Sequence, residues 1–345
     1  MSEILIKEIN EQPHLIQNLI DTEYKEIKNI SENIKGKFNY AMIAARGTSD
    51  NAARYAQYLF GSFNQVPIAL ATPSLYTVYN TPPKLADALV IGISQSGQSP
   101  DIVAVIENAK KQGQTTLCIT NMPDSPLGNA ADFVIPLHCG DEKAVAATKT
   151  YTASLTALAM LSIAMSNDSA REKALASLPP LLEETIKAAT ETNVNTCRYR
   201  YIEHCVVIGR GFNYATAFEV ALKIKELTRV VSVPYSSADF KHGPIAAVQP
   251  GFPVVMIAPS GEMYEQMKEF SKKMHELEAE VISISDRKEI TENSNLGFRI
   301  PSGIPEWMSP IACALPGQLF ARQLAFEKGL NIDKPIGLSK VTETF

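Results

Sequence analysis

Ala88-Leu89-Val90-Ile91-Gly92-Ile93-Ser94-Gln95-Ser96-Gly97-Gln98-Ser99-Pro100-Asp101 changes character twice within a short span. The unbroken apolar run Ala88–Ile93 predicts a strand buried on both faces, as in a parallel sheet. It discharges into a hydroxyl-rich turn, and Pro100-Asp101 then open a helix running to Lys111. Pro lacks the N–H that a first helical turn leaves unused, and Asp carries the charge that a helix start favours. Backbone N–H groups at such a start, with Ser and Gln donors around them, form a cradle for phosphate. There is no G-x-G-x-x-G and no Lys of a Walker-type loop, so the turn points to a small phosphorylated metabolite before a nucleotide. An ordinary Ser-rich connection between strand and helix has the same composition, and that alternative stays open.

Outward from this turn, strand-like and helical runs alternate. Tyr40–Ala45, Pro67–Ala71, Thr116–Thr120 and Phe133–Leu137 join Ala88–Ile93 as predicted strands, with Asn51–Phe60 and Asp101–Lys111 as helices between them. An Ala/Leu-rich segment, Ala147–Met165, precedes a more charged helix from about Ser169 to Thr192 that Pro179-Pro180 interrupts. The pattern then restarts with strands Cys205–Ile208, Val230–Pro234, Pro253–Ala258, Glu280–Ser285 and a weaker Phe298–Ile300. A shift of 164 carries Arg46-Gly47 onto Arg210-Gly211, Ala53 onto Ala217, Val66 onto Val230, Val90 onto Val254 and Ser96-Gly97 onto Ser260-Gly261. Two dipeptides held in register this far apart indicate an internal duplication. The expected fold is α/β: two copies of a doubly wound parallel sheet flanked by helices. The copies differ where a ligand would sit. The first has Gly47-Thr48-Ser49 and Ser94-Gln95-Ser96 after its strands, whereas the second has Gly211-Phe212-Asn213 and Ala258-Pro259-Ser260. Only the first keeps a hydroxyl-lined cradle.

Composition narrows the class. The chain has 345 residues, long enough for two domains with proper cores, and a net charge of −5 that argues against nucleic acid and anionic membranes as partners. No apolar run approaches the roughly 20 residues that span a bilayer. The start, Met1-Ser2-Glu3-Ile4, lacks a signal-peptide pattern, and the five scattered cysteines include no C-x-x-C, so a reduced, cytoplasmic setting is expected. Cys118 and Cys205 lie in apolar runs and read as small core residues. The five histidines form no H-x-x-x-H or tight His/Cys/carboxylate set, so neither metal nor other cofactor is expected.

Three segments carry candidate chemistry. Glu219, Lys223 and Glu226 share one helix face beside an apolar stripe of Val220, Ile224 and Leu227. That face is either solvated, with an ordinary Glu–Lys pair, or it holds a general base, Glu226, with a neighbouring cation. His242, in the polar turn Ser236-Ser237-Ala238-Asp239-Phe240-Lys241-His242-Gly243-Pro244, either caps a helix or moves protons near neutrality. The polar tail from Asp333 to Phe345 by composition alone would simply fray.

Together these motifs resemble the sugar-isomerase (SIS) domain family, and most closely the tandem-SIS isomerase half of the glutamine:fructose-6-phosphate amidotransferases. The likeness runs from Glu8-Ile9-Asn10-Glu11-Gln12-Pro13 to the tail. It rests on Gly47-Thr48-Ser49, Ser94-Gln95-Ser96-Gly97, Val145-Ala146-Ala147-Thr148-Lys149, Ala221-Leu222-Lys223-Ile224-Lys225-Glu226, Lys241-His242-Gly243-Pro244 and Asp333-Lys334-Pro335 through Lys340. The resemblance implies an N-terminal helical segment over 1–38, a phosphate-binding SIS domain over 39–165 and a helical connector over 166–196. A catalytic SIS domain over 197–330 and an active-site tail over 331–345 complete it. It implies that Ser94, Gln95, Ser96 and Ser99 hold a sugar phosphate with Gly47, Thr48 and Ser49 nearby, and that Val145 and Ser339 line the pocket. Glu226 would move a proton between C1 and C2, Lys223 would orient it, His242 would open the ring, and Lys340 would close over the open-chain sugar. In the family the histidine reaches into the partner subunit's site, which implies a homodimer with shared sites.

Two departures shape the expected activity. The amidotransferases carry an N-terminal glutaminase domain, whereas here Ser2 follows Met1 and no such domain fits before Tyr40. The turn Ala45-Arg46-Gly47-Thr48-Ser49-Asp50-Asn51 lacks their Cys before Gly and looks like that of stand-alone SIS-type glucosamine-6-phosphate deaminases; Ala147 also replaces a common Ser. The expectation is a deaminating isomerase that converts glucosamine 6-phosphate to fructose 6-phosphate and ammonia. A deglycase of 6-phosphorylated fructose–amino acid adducts, a plain aldose–ketose isomerase and a non-catalytic sugar-phosphate sensor are the alternatives.

Overall fold

The structure is a computed structural model that describes residues 4–333 together with 335 and 337. Ten strands fall into two sheets of five, every described pairing parallel. The first contains β1 (Tyr40–Ala44), β2 (Ile68–Leu70), β3 (Ala88–Ser94), β4 (Thr115–Thr120) and β5 (Phe133–Pro136), in the order β2-β1-β3-β4-β5. The second contains β6 (His204–Gly209), β7 (Val231–Ser236), β8 (Pro253–Ile257), β9 (Glu280–Ser285) and β10 (Leu296–Arg299), in the order β7-β6-β8-β9-β10. The orders are the same, and so is the register at the centre. Met42 pairs with Val90 and Val206 with Val254; Ala41 pairs with Ile68 and Cys205 with Ser232. Each member of the second pair lies 164 residues after its counterpart, which is the shift seen in the sequence. The expected duplicated α/β architecture is therefore present.

The chain forms two compact units. One comprises residues 14–142 with 149–176 and holds the first sheet. Its core joins Met42, Ala44 and Val90 from the strands to Ile102, Val105 and Ile106 from the helix Pro100–Lys111. The helix Lys149–Ser166 is buried all round from Lys149 to Ala164, which accounts for its lack of a polar face. It packs on the helix Thr48–Asn64, where Asn64 and Ser162 exchange hydrogen bonds of 2.9 and 2.7 Å.

The other unit comprises, among the described residues, 4–13, 143–148 and 177–337, and it holds the second sheet. Val206, Ile208, Val254 and Met256 pack there with Phe240 and Phe270. The helix Asn213–Thr228 follows β6 and is covered by the helix Ser309–Glu327. Gly317 permits that contact, because a Cβ there would stand 2.3 Å from Val220 Cγ2.

Several boundaries differ from expectation, as where the helix expected over Asn51–Phe60 runs from Thr48 to Asn64, and two of the differences have a clear physical reason. Pro179 and Pro180 begin a helix, Leu178–Thr192, instead of interrupting one; the break falls at Ser177, and a first turn tolerates the missing N–H. The edge strand β10 starts at Leu296, two residues before the predicted Phe298, since edge pairing depends on the neighbouring β9 more than on local hydropathy. No described helix is long and apolar enough to cross a membrane.

Candidate active site

In doubly wound sheets ligands bind beyond the carboxyl ends of the strands, at the point where the winding reverses. In the first sheet that point lies between β1 and β3, where Gly47–Ser49 and Ser94–Ser99 emerge. The second turn is tightly built. The buried Ser94 hydroxyl accepts the Gly97 N–H at 3.1 Å, Ser96 Oγ accepts the Gln98 N–H at 3.3 Å, and the Gln95 carbonyl accepts the Asn121 N–H at 3.2 Å. Gly97 has φ +62, and a Cβ there would stand 1.9 Å from Ser125 Oγ, so the turn admits only glycine. Ser99 precedes the helix Pro100–Lys111 without a side-chain capping bond, which leaves its hydroxyl at the positive end of the helix dipole. An ion pair ties the two turns together: Arg46 Nε donates to Asp101 Oδ2 at 2.8 Å, and the Asp101 side chain is 1% exposed. In the sequence alone Asp101 reads only as a helix starter. The Arg-Gly dipeptide beside a turn was the available signal for its partner.

The second unit carries the acid–base candidates. The helix Asn213–Thr228 is pinned at its start, where Asn213 Nδ2 donates to Ser309 Oγ at 2.7 Å and Thr216 Oγ1 donates to Asn213 Oδ1 at 3.1 Å. Glu219, Lys223 and Glu226 do share a face, and it is not a solvated one. Glu219 and Lys223 are each 1% exposed, while Glu226 is 22% exposed. The Lys223 ammonium stands 3.5 Å from Glu219 Oε1 and donates to Glu226 Oε2. Glu226 lies in the last helical turn, where a carboxylate opposes the dipole. The buried ammonium offsets that opposition and holds one oxygen of a carboxylate that stays partly exposed. Glu219 was read in the sequence as part of a charged face. On its own face, Ala215 one turn earlier is small, apolar and buried, which fits a covered surface.

His242 follows the short helix Ser237–Lys241, whose N-cap Ser236 accepts the Asp239 N–H. Its ring is exposed and makes no hydrogen bond or ion pair among the described residues, so it neither caps that helix with its ring nor meets Glu226. Half-buried Val145 lies on the segment 143–148, which the N-terminal helix braces. Glu8 Oε1 accepts the N–H groups of Lys143 and Ala144 at 2.5 and 3.2 Å, Gln12 Nε2 donates to Gln318 Oε1 at 2.8 Å, and Gln318 Nε2 reaches the Thr148 carbonyl at 3.3 Å. This explains the Glu8–Pro13 motif, to which no role was attached. Ser339 and Lys340 lie outside the described residues. Cys118 and Cys205 are core residues as expected, and burial pushes their thiols up to about 12 and about 11, away from nucleophilic use at neutral pH.

Comparison with known proteins fits this duplicated geometry. The SIS domain family model matches residues 39–164 and 200–328, one segment for each sheet. The chain is 34% identical over 341 residues to the isomerizing glutamine–fructose-6-phosphate aminotransferase of Pyrococcus horikoshii, a match covering 97% of this chain and 57% of that protein. The chain thus spans little more than half the length of that relative. The C-terminal domain of glucosamine-fructose-6-phosphate aminotransferase from Francisella tularensis superposes with a TM-score of 0.84 at 27% identity, covering 97% of this chain and 99% of that one. A glucosamine-6-phosphate deaminase from Thermotoga maritima superposes with a TM-score of 0.82, covering 99% and 100%; at 22% identity that likeness shows the fold alone. With a match on each of its two sheets, the chain belongs to the SIS domain family.

Proposed function

We propose that the chain converts glucosamine 6-phosphate and water to fructose 6-phosphate and ammonia. The observation that carries this reading is the Lys223–Glu226 pair, a solvent-reaching carboxylate oriented by a fully buried ammonium. Such a pair suits abstraction of a proton from a carbon next to a carbonyl. His242 protonates the ring oxygen as the anomeric hydroxyl loses its proton, which opens the sugar. Glu226 removes the C2 proton from the aldehyde form while O1 takes a proton from water, giving an enolamine, and returns a proton to C1 as the nitrogen gives one back to water. The product is a C2 imine, which water hydrolyses to the ketone with loss of ammonia. The phosphate belongs to Ser94, Gln95, Ser96 and Ser99, with Gly47, Thr48 and Ser49 beside them. Val145 contributes apolar lining. Ser339 and Lys340 complete the assignment from the family resemblance. The relatives' names speak of isomerizing fructose 6-phosphate chemistry, and the Ala45–Asn51 turn favours the deaminating direction.

The test is to incubate the chain with glucosamine 6-phosphate and measure ammonia and fructose 6-phosphate, with galactosamine 6-phosphate and fructoselysine 6-phosphate as comparison substrates. Equal amounts of both products from the first substrate are expected. Aldose–ketose interconversion without ammonia would defeat the deaminating reading. Ser96→Ala should raise KM about 10–100-fold, the worth of a hydrogen bond to a charged group, and leave kcat nearly unchanged; an unaltered KM would remove the serine turn from phosphate binding.

The exposed His242 ring fits a role across a homodimer, with each site drawing its histidine from the other subunit. Neither His242→Ala nor Glu226→Gln alone should turn over well. Co-expressed heterodimers of the two should recover activity, approaching one intact site per pair. Proven heterodimers without recovery would mean self-contained sites.

A further inference from the structure

The duplication sets a second crevice at the carboxyl ends of β6 and β8, equivalent by register to the one between β1 and β3. There Ser260 and Gly261 occupy the places of Ser96 and Gly97. The chain's own carboxylates already lie in this crevice. Glu306 Oε2 accepts the Glu262 N–H at 2.9 Å, and its Oε1 accepts the Met263 N–H at 3.4 Å. These N–H groups open the helix Tyr264–Glu276 and correspond, 164 residues on, to those of Gln98 and Ser99. The fit is close. Gly261 has φ +150, and a Cβ there would stand 2.3 Å from Glu306 Cδ and 2.6 Å from Oε2, so only glycine leaves room for the carboxylate. Asp286 takes the serine: its Oδ1 accepts the Ser260 N–H at 2.7 Å and its Oδ2 accepts the Ser260 hydroxyl at 2.6 Å.

The first copy is arranged otherwise at each of these points. The residue after β4 that matches Asp286 is Asn121, and its side chain turns away, donating to the Gly140 carbonyl at 2.7 Å and accepting the Cys139 N–H at 2.8 Å. Glu306 lies three residues before the helix Ser309–Glu327; three residues before the corresponding helix Lys149–Ser166 stands Ala146. The position of a carboxylate in one copy is thus taken by an alanine in the other.

We propose that Glu306, with Asp286, determines which copy takes ligand: its carboxylate holds the phosphate position of the second copy, so each chain binds one sugar phosphate, and removing it uncovers a second site for a small phosphate-bearing anion. This rests on the reading of the first copy as the phosphate cradle. A carboxylate on two helix-start N–H groups is also a stabilising cap, and the experiment separates the two roles.

The measurement is the stoichiometry of inorganic phosphate binding to the full chain by titration calorimetry. The unaltered chain should bind one phosphate per chain, and Glu306→Ala should bind two. Glu306→Gln keeps the bulk and a hydrogen-bond acceptor and should remain at one. In a Ser96→Ala background, adding Glu306→Ala should raise phosphate affinity at least tenfold over Ser96→Ala alone. Folding is monitored by near-ultraviolet dichroism; if Glu306→Ala does not fold, Glu306→Ser takes its place, with the same result expected. A folded Glu306→Ala or Glu306→Ser variant that gains no phosphate leaves Glu306 as a cap only and overturns the proposal. The first-copy reading fails separately, through Ser96→Ala leaving phosphate affinity unchanged.

Discussion

Glu226→Gln is expected to lower kcat on glucosamine 6-phosphate by roughly 10²–10⁴-fold, the usual worth of a positioned base, with KM nearly unaltered. The amide matches the carboxylate in shape, and its oxygen can still accept from the buried Lys223 ammonium, so the helix and its packing stay in place. What it loses is the ability to hold a proton between C2 and C1. Substrate deuterated at C2 sharpens the test. The unaltered chain should release the label to water or pass it to C1, whereas the variant should do neither, although ring opening continues. Near-normal turnover, or label loss at an undiminished rate, would remove Glu226 from the base role and with it the central step of the proposed reaction.

The architecture was legible because a parallel strand is buried on both faces, so Ala88–Ile93 and Pro253–Ala258 appear as unbroken apolar runs, and because Arg-Gly and Ser-Gly recur at one spacing. Strand ends and edge strands were less so. Ser94 extends β3 by one residue because its backbone pairs with Thr120 despite its polar side chain. The acid–base helix could not be decided from its own residues. Glu219, Lys223 and Glu226 have the same spacing whether water or protein covers them, and the deciding partner, Ser309–Glu327, lies far along the chain. Its covering depends on Gly317, whose role is visible only against Val220. The same limit hid Glu306 and Asp286. A side chain that bonds backbone N–H groups of a distant turn leaves no periodic trace in the sequence. The exposed His242 shows the converse: a polar Gly/Pro-bounded turn gave its setting correctly, while its ring makes no hydrogen bond or ion pair among the described residues.

Lys223→Met should cost about 3–5 kcal/mol of stability, the range seen when one member of a buried ion pair is removed. Its ammonium is 1% exposed and serves two carboxylates, one of which, Glu219, is as deeply buried. The methionine fills most of the volume, so a cavity contributes little, and the loss comes from a buried carboxylate left without that ammonium beside it. If that account holds, Glu219→Gln in the same chain should return most of the lost stability, because replacing a buried pair with neutral groups is often close to neutral. Activity should not return with it. Glu226 would still lack the donor that sets its orientation, and the double variant should fold like the unaltered chain in denaturant titrations while remaining at least tenfold slower in kcat. That separation of fold from turnover distinguishes a lysine that positions the base from one that only completes a core. A single variant that loses less than about 1 kcal/mol, the level of an exposed pair, would show that burial of the ammonium contributes nothing to the fold. A double variant with full activity would show that Glu226 does not need it.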